Sequence, residues 1–197
     1  MGAPVAEQTV AGFRRRLLDG LAASINERGY RDSTVADIVR HARTSKRTFY
    51  DHFATKEECF VELLSANNDD LVAALAEAVD PRAPWRDQVR QAVTAYVGTI
   101  ESNPAVTLSW IRELPALGDQ ARPTVRQSLS RLTAAIVALT ASDGFAKAGI
   151  APLSPAAAVI LVGGLRELTA QTVEDGAPVT GMIEPAVEAA SALLAGR

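Results

Sequence analysis

The chain has 197 residues, 48% of them hydrophobic, with a single cysteine. That much apolar material can bury a sizeable core, which excludes disorder beyond the first several residues; Cys59 alone leaves no intramolecular disulfide framework and fits a reducing cytoplasm. The net charge of −3 hides a split, because residues 14–56 hold ten Lys/Arg against five Asp/Glu, or +5, and the remainder carries −8, the asymmetry of a nucleic-acid module joined to an unrelated domain.

Residues 8–28 form the first helical pattern, with Phe13, Leu17, Leu18, Leu21, Ala22 and Ile25 on one stripe. Gly29 closes it where a left-handed residue is wanted. Arg14, Arg15 and Arg16 lie near its start, where phosphate contact and plain solubility compete as explanations. The second helix begins at Ser33 or Thr34; Thr34 with Asp37 three residues on fits a capping box. Val35, Ile38 and Val39 face inward. A turn at Ala42-Arg43-Thr44 follows, and Ser45 is placed to cap a third helix. On that helix Phe49 and Phe53 share an i, i+4 apolar face, whereas Lys46, Arg47, Thr48 and Tyr50 fall in the first turn and a half.

Two short helices across a tight turn, the second basic where it begins, are suited to the DNA major groove. The N-terminal side chains of such a helix meet base edges and its flanks touch phosphates. Lys46 and Arg47 can donate to guanine O6 and N7, and the Thr48 methyl or the Tyr50 ring can touch a thymine methyl. Tyr50 and His52 could equally hydrogen-bond phosphates. Arg43 and Thr44, in the turn, sit beside this face. Thr55 with Glu58 makes another capping box and starts a long fourth helix through about Asp80, whose first turn offers Lys56 and free amides to a phosphate.

Gly29-Tyr30 followed by TVADIVRHARTSKRTFYDHFATKEE closely resembles the DNA-binding domain of tetracycline-repressor (TetR) family regulators, over about residues 10–65. The resemblance implies an all-α homodimer: an N-terminal three-helix DNA-binding domain at residues 1–54, joined by a long helix to a C-terminal ligand-binding and dimerisation domain at residues 55–197. It also implies DNA contacts at Thr34, Ser45, Lys46, Thr48, Tyr50, His52 and Lys56. Three positions depart from the family pattern. The family usually has Ala and Gly where this chain has Val39 and Arg43, and often Gly where it has Arg47. An Arg in the turn either costs something like 1 kcal/mol of left-handed strain or signals an altered turn.

After Asp80-Pro81-Arg82-Ala83-Pro84 the pattern changes. A helix from about Trp85 to Ser102 carries Val89, Val93, Tyr96, Val97 and Ile100 on one side. Asn103-Pro104 breaks it, a shorter helix runs to about Leu114, and Pro115 to Gly118 reads as loop. A long helix over roughly residues 121–142 ends at the stop signal Asp143-Gly144. Ser154-Pro155 starts another, whose run AAAVILVGGL is apolar almost all round and so buried on several sides; Glu174-Asp175-Gly176 ends it. The last helix lies near Met182 to Ala195.

Polar or aromatic residues among these apolar faces are the ligand-binding candidates: Tyr96, Thr99, Thr107, Trp110, Glu113, Arg131, Glu167 and Gln171. For each aromatic, ordinary core packing is the competing explanation. Few aromatics and many Ala, Val and Leu suit a hydrophobic ligand better than a sugar or nucleotide. In the resembling family the final two helices pair with those of a partner, which would put Val159, Val162, Gly163, Leu165, Val187 and Leu194 at a dimer interface. The same pattern also fits a buried intramolecular hairpin.

Other functions find little support. Both histidines, His41 and His52, lie in the DNA-binding segment, and there is no nucleophile elbow, P-loop or dinucleotide signature. No metal set is evident and no cofactor is expected. No uninterrupted apolar run approaches the roughly 20 residues of a membrane span. The start, MGAPVAEQTVAGF, lacks the features of a secretory signal. The expectation is a cytoplasmic, non-enzymatic regulator, a repressor released from a palindromic double-stranded DNA operator by a small hydrophobic effector, with no membrane partner. A DNA-binding dimer without ligand, and a helical enzyme or lipid carrier, are the alternatives.

Overall fold

The computed structural model describes residues 5–118 and 121–196, and among these it is all helix and loop. The expectation of disorder at the N-terminus falls, for residues 1–4, outside the described residues. Helix α1 (Val5–Asp32) departs from helical geometry at Gly29, at φ 80°, the left-handed conformation glycine adopts without strain. Ser33 Oγ donates to the Gly29 carbonyl at 2.8 Å and accepts from Ser24 Oγ at 2.8 Å. The end of α1 is thus closed by hydroxyls from both sides of the bend.

Helices α2 (Val35–His41) and α3 (Lys46–His52) follow, each with the cap the sequence indicates. Thr34 and Asp37 form a reciprocal capping box, and Thr48 N donates to Ser45 Oγ at 3.1 Å. Between them Arg43 sits at φ 51°. The turn therefore keeps the left-handed geometry that glycine would take, and the arginine carries the strain. At Gly20 the crossing of α1 and α2 is so close that a Cβ would lie 2.6 Å from the Ile38 carbonyl; no larger residue fits there without moving α2.

Phe49, Phe53, Ile38, Leu17, Leu21 and Ile25 fill the N-terminal core and are almost wholly buried. Helix α4 (Lys56–Ala78) contributes its first half to this same core through Cys59, Phe60, Leu63 and Leu64. So do Val106, on the next helix but one, and Leu114, in the turn that follows that helix. The remaining helices are α5 (Trp85–Ser102), α6 (Pro104–Glu113), α7 (Arg122–Thr140), α8 (Asp143–Lys147), α9 (Pro155–Glu174) and α10 (Ile183–Ala195). They form a bundle in which α4 packs on α5 and α7, α6 on α1 and α9, and α10 on α5.

Two local expectations change. Asp143-Gly144 does not simply end α7; it opens the short α8, because Phe145 has to be buried against the Trp85 ring at 6.0 Å. Residues 114–117 are a 3-10 turn rather than loop. A third correction concerns α9. Its length and mean hydropathy of 1.2 would allow it to cross a membrane, although no uninterrupted apolar run suggests it. Only one side of it is buried, through Ala157, Ala158, Val162, Thr169 and Ala170, and not the several sides that its apolar run suggests.

Candidate DNA-binding face and effector cavity

Phe49 and Phe53 turn one side of α3 into the core and leave the other outside. Arg43, Ser45, Lys46, Arg47 and Tyr50 are exposed, Tyr50 to 59%. Thr44, Thr48 and His52 are half-buried beside them, and Thr34 is exposed at the start of α2. Among the described residues, Arg43, Lys46 and Arg47 have no ion-pair partner on the protein. Three unneutralised cations and a phenol on one short face form an anion-seeking surface.

Other bases of this segment are occupied. Arg14 pairs with both oxygens of Glu62, donates to the His52 carbonyl at 3.0 Å and lies 4.5 Å from the Phe53 ring centroid. It joins α1 to α3 and α4, and its neighbour Glu62 raises its pKa above the ordinary arginine value. Lys56, expected at a phosphate, instead reaches the carbonyls of Tyr30 and Ser33 at 3.0 and 2.9 Å and lies over the Tyr30 ring. Those carbonyls, beside the bend at the end of α1, need a donor. Arg16, for which the sequence left phosphate contact and solubility as competing roles, donates to the Ala42 and Arg43 carbonyls at 2.8 and 2.9 Å and braces the strained turn. Glu27 receives Arg40, Arg28 and His41, each within 2.9 Å. These hydrogen bonds, Arg40's above all, hold its carboxyl down at about 2.

The second feature is a cavity of about 390 Å³ between α4, α5, α6, α7 and α9, with the tip of α10, within the range of small-molecule sites. Tyr96, Thr99, Thr107 and Trp110 line it, as the sequence suggests. Glu113, Arg131, Glu167 and Gln171 do not. Glu113 pairs with Arg31 at 2.9 Å, Arg131 with Asp69 at 2.8 Å, and Glu167 with Arg112 at 3.0 Å, while Gln171 hydrogen-bonds Glu167. Each is better solvated in a surface contact than it would be inside an apolar wall.

The lining the sequence did not flag includes Arg166, the only lysine or arginine among the described residues at the cavity wall. Its guanidinium stacks over Trp110 at 5.4 Å from the ring centroid. Its signal was readable: it follows Val162 by four residues on the stripe that also carries Leu165 and Thr169, a charge on the inward side of an apolar helix.

The expected interface residues divide in the same way. Val162 and Leu194 are buried, and together with the half-buried Leu165 they line the cavity. Val187, half-buried on α10, packs against the C-terminal core. Only Val159, 48% exposed, and Gly163 face outward, where they continue with Ile160, 68% exposed, and Gly164. The sequence could not assign faces because the run is apolar on all sides.

Helix α6 connects the two features. Val106 is fully buried in the N-terminal core and also lines the cavity, and Trp110 touches both. Asn103 meets Asn26 at 3.2 Å and Glu113 meets Arg31, so both ends of α6 are tied to α1. Arg112 ties its outer side to Glu167 and Glu174 of α9.

Residues 17–63 match the model of the bacterial regulatory proteins of the tetR family. The chain is 24% identical over 142 residues to an uncharacterised helix-turn-helix transcriptional regulator, YhgD of Bacillus subtilis, covering 72% of this chain and 74% of that one. It is 35% identical over 109 residues to the transcriptional repressor KstR2 of Mycobacterium tuberculosis, a match that spans about half of each, 55% and 54%. In fold it is similar to the transcriptional regulator FadR of Bacillus subtilis in complex with stearoyl-CoA, with a TM-score of 0.77 at 16% identity over 93% of this chain and 98% of that one.

Proposed function

Because this chain belongs to the tetR family of bacterial regulatory proteins, we propose that it is a ligand-responsive transcriptional repressor that acts as a homodimer in the cytoplasm. The observation that carries the reading is the exposed, unpaired basic face of α3, Lys46 and Arg47 with Tyr50 and Arg43, on a frame that α6 joins to an apolar cavity.

Lys46, Arg47, Thr48 and Tyr50 read the major groove, Arg43, Thr44 and Ser45 meet the backbone, and Thr34 and His52 flank them. Arg14 and Lys56 hold the module together. The outward stripe of α9, Val159, Ile160, Gly163 and Gly164, pairs with its copy on a second chain. The glycines allow close approach and the exposed valine and isoleucine supply apolar area. Two α3 helices then lie about 34–36 Å apart, on successive major grooves of a palindromic operator.

The cavity is the effector site. The acyl thioester carried by the B. subtilis FadR structure and the mostly aliphatic lining here support an effector with a hydrocarbon tail. An occupant pressing on Val106 and Trp110 moves α6 against α1 and changes the distance between the two reading heads. A coupling of about 1–3 kcal/mol is enough to switch operator occupancy. The test is operator binding by fluorescence anisotropy across a salt series. The wild type loses affinity steeply with salt, and Arg47→Ala and Tyr50→Ala lose operator affinity with unchanged melting temperature. A salt-independent affinity, or full binding by both variants, would overturn the proposal.

A further inference from the structure

Among the described residues, Arg166 is a charge without a counter-charge. The cavity wall it occupies is otherwise made of aliphatic side chains, the rings of Tyr96, Trp110 and Phe145, a few hydroxyls and amides, and Asp70 at the rim. Its Nε is buried with no hydrogen-bond partner, and burial pushes its pKa below the ordinary arginine value. An arginine nevertheless keeps its proton at neutral pH. Other arginines of the chain are treated differently: Arg112 is held between Glu167 and Glu174, and Arg31, Arg90 and Arg131 each have a carboxylate. Only Asp70, at the exposed rim, is acidic among the cavity-lining residues.

The hydroxyls nearby offer no second strong donor. Thr169 Oγ1 donates to the Leu165 carbonyl at 2.8 Å, so the Tyr96 hydroxyl, 2.8 Å from that oxygen, spends its proton on it. Thr99 and Thr107 donate to the Ala95 and Asn103 carbonyls of their own chain turns. The cavity therefore presents one guanidinium fork, backed by an indole face, against apolar walls.

Resting on the reading of the cavity as the effector site, we propose that Arg166 anchors the carboxylate of an amphipathic effector, a monoanion with a hydrocarbon tail that lies along the aliphatic wall. A guanidinium matches a carboxylate with two parallel hydrogen bonds. A single fork, with Asp70 at the rim, suits one negative charge and disfavours a dianion such as a phosphate monoester. Binding neutralises this half-buried charge, so the acid is favoured over an uncharged ligand of equal tail length.

Calorimetric titration of the full chain with dodecanoate and with dodecanol, below their aggregation limits, tests this. The wild type binds the acid about 10- to 100-fold more tightly than the alcohol. Arg166→Met abolishes that preference while leaving dodecanol binding unchanged, and Arg166→Lys retains part of it; thermal melting verifies that each variant is folded. If wild type binds both equally, or if Arg166→Met weakens both alike, the anchor is wrong and the cavity reading survives. If neither compound binds the wild type, the anchor and the hydrocarbon-effector reading fall together.

Discussion

Arg16 and Arg43 meet backbone to side chain: the Arg16 guanidinium donates at 2.9 Å to the carbonyl of the residue held at φ 51°. The brace keeps a non-glycine turn in left-handed geometry and leaves the Arg43 side chain outside. Arg43→Gly should therefore stabilise the fold by about 0.5–1 kcal/mol, a rise of about 2–4 °C or less in melting temperature for a chain of this size. The same change removes a cation beside the DNA, so the slope of log affinity against log salt should flatten by about one ion. A melting temperature that falls would show that the side chain, not the turn, matters for stability.

Arg14 and Arg47 should separate in the opposite sense. Arg14→Ala removes the contacts to Glu62, the His52 carbonyl and the Phe53 ring, and should cost about 1–2 kcal/mol after discounting for its partial exposure. Urea unfolding measures this, and the salt slope of operator binding should barely change. Arg47→Ala should leave the unfolding midpoint in place and flatten the slope or relax base preference. Equal effects of the two on the salt slope would return Arg14 to the DNA-contacting set.

Glu27 predicts an acid sensitivity. Its carboxyl is held at about 2 against an ordinary 4.5, chiefly by the hydrogen bond from Arg40. A depressed carboxylate contributes stability that is present above about 4.5 and lost as pH falls towards 2. Wild type should thus lose stability more steeply across that window than Glu27→Gln, compared by urea unfolding at about pH 6 and about pH 3. Parallel pH profiles would mean that Glu27 does not hold α2 to α1.

Cys59 is buried among Phe60 and Leu63, and burial pushes its thiol up to about 12. It should resist a thiol reagent at neutral pH in the native state and react fully in denaturant. Reaction at native conditions, faster than global unfolding allows, would reveal an opening of the α1–α4 core.

The sequence carried the DNA-binding module in detail, because its signals are local. Caps at Thr34, Ser45 and Thr55, the Phe49–Phe53 pair and the Arg43 turn all depend on residues within a few positions of each other. The cavity was half legible. Tyr96, Thr99, Thr107 and Trp110 stand out as polar or aromatic positions on apolar helices, but the same criterion selected Glu113, Arg131 and Glu167. Those three are separated from the cavity by ion pairs with residues tens of positions away, 82 in the case of Arg31 and Glu113, and periodicity is blind to such partners. Lys56 was misplaced for the same reason: its acceptors at Tyr30 and Ser33 become neighbours only when α1 folds back. Within α9 the uniform hydrophobicity that marked it as buried also concealed which side was inside.

The shared position of Val106 bears on how such a protein can change its specificity. Residues of α5 such as Val93 or Thr99 meet the cavity without reaching the N-terminal core, so they are free to drift towards new effectors with the reading head undisturbed. Val106 and Trp110 have no such latitude, since any change in their volume is felt in both compartments at once. Ligand preference should thus be the readily evolved property of this fold and the transmission path the slow one. Libraries aimed at a new biosensor would do best to vary α5 and α7 and leave α6 untouched.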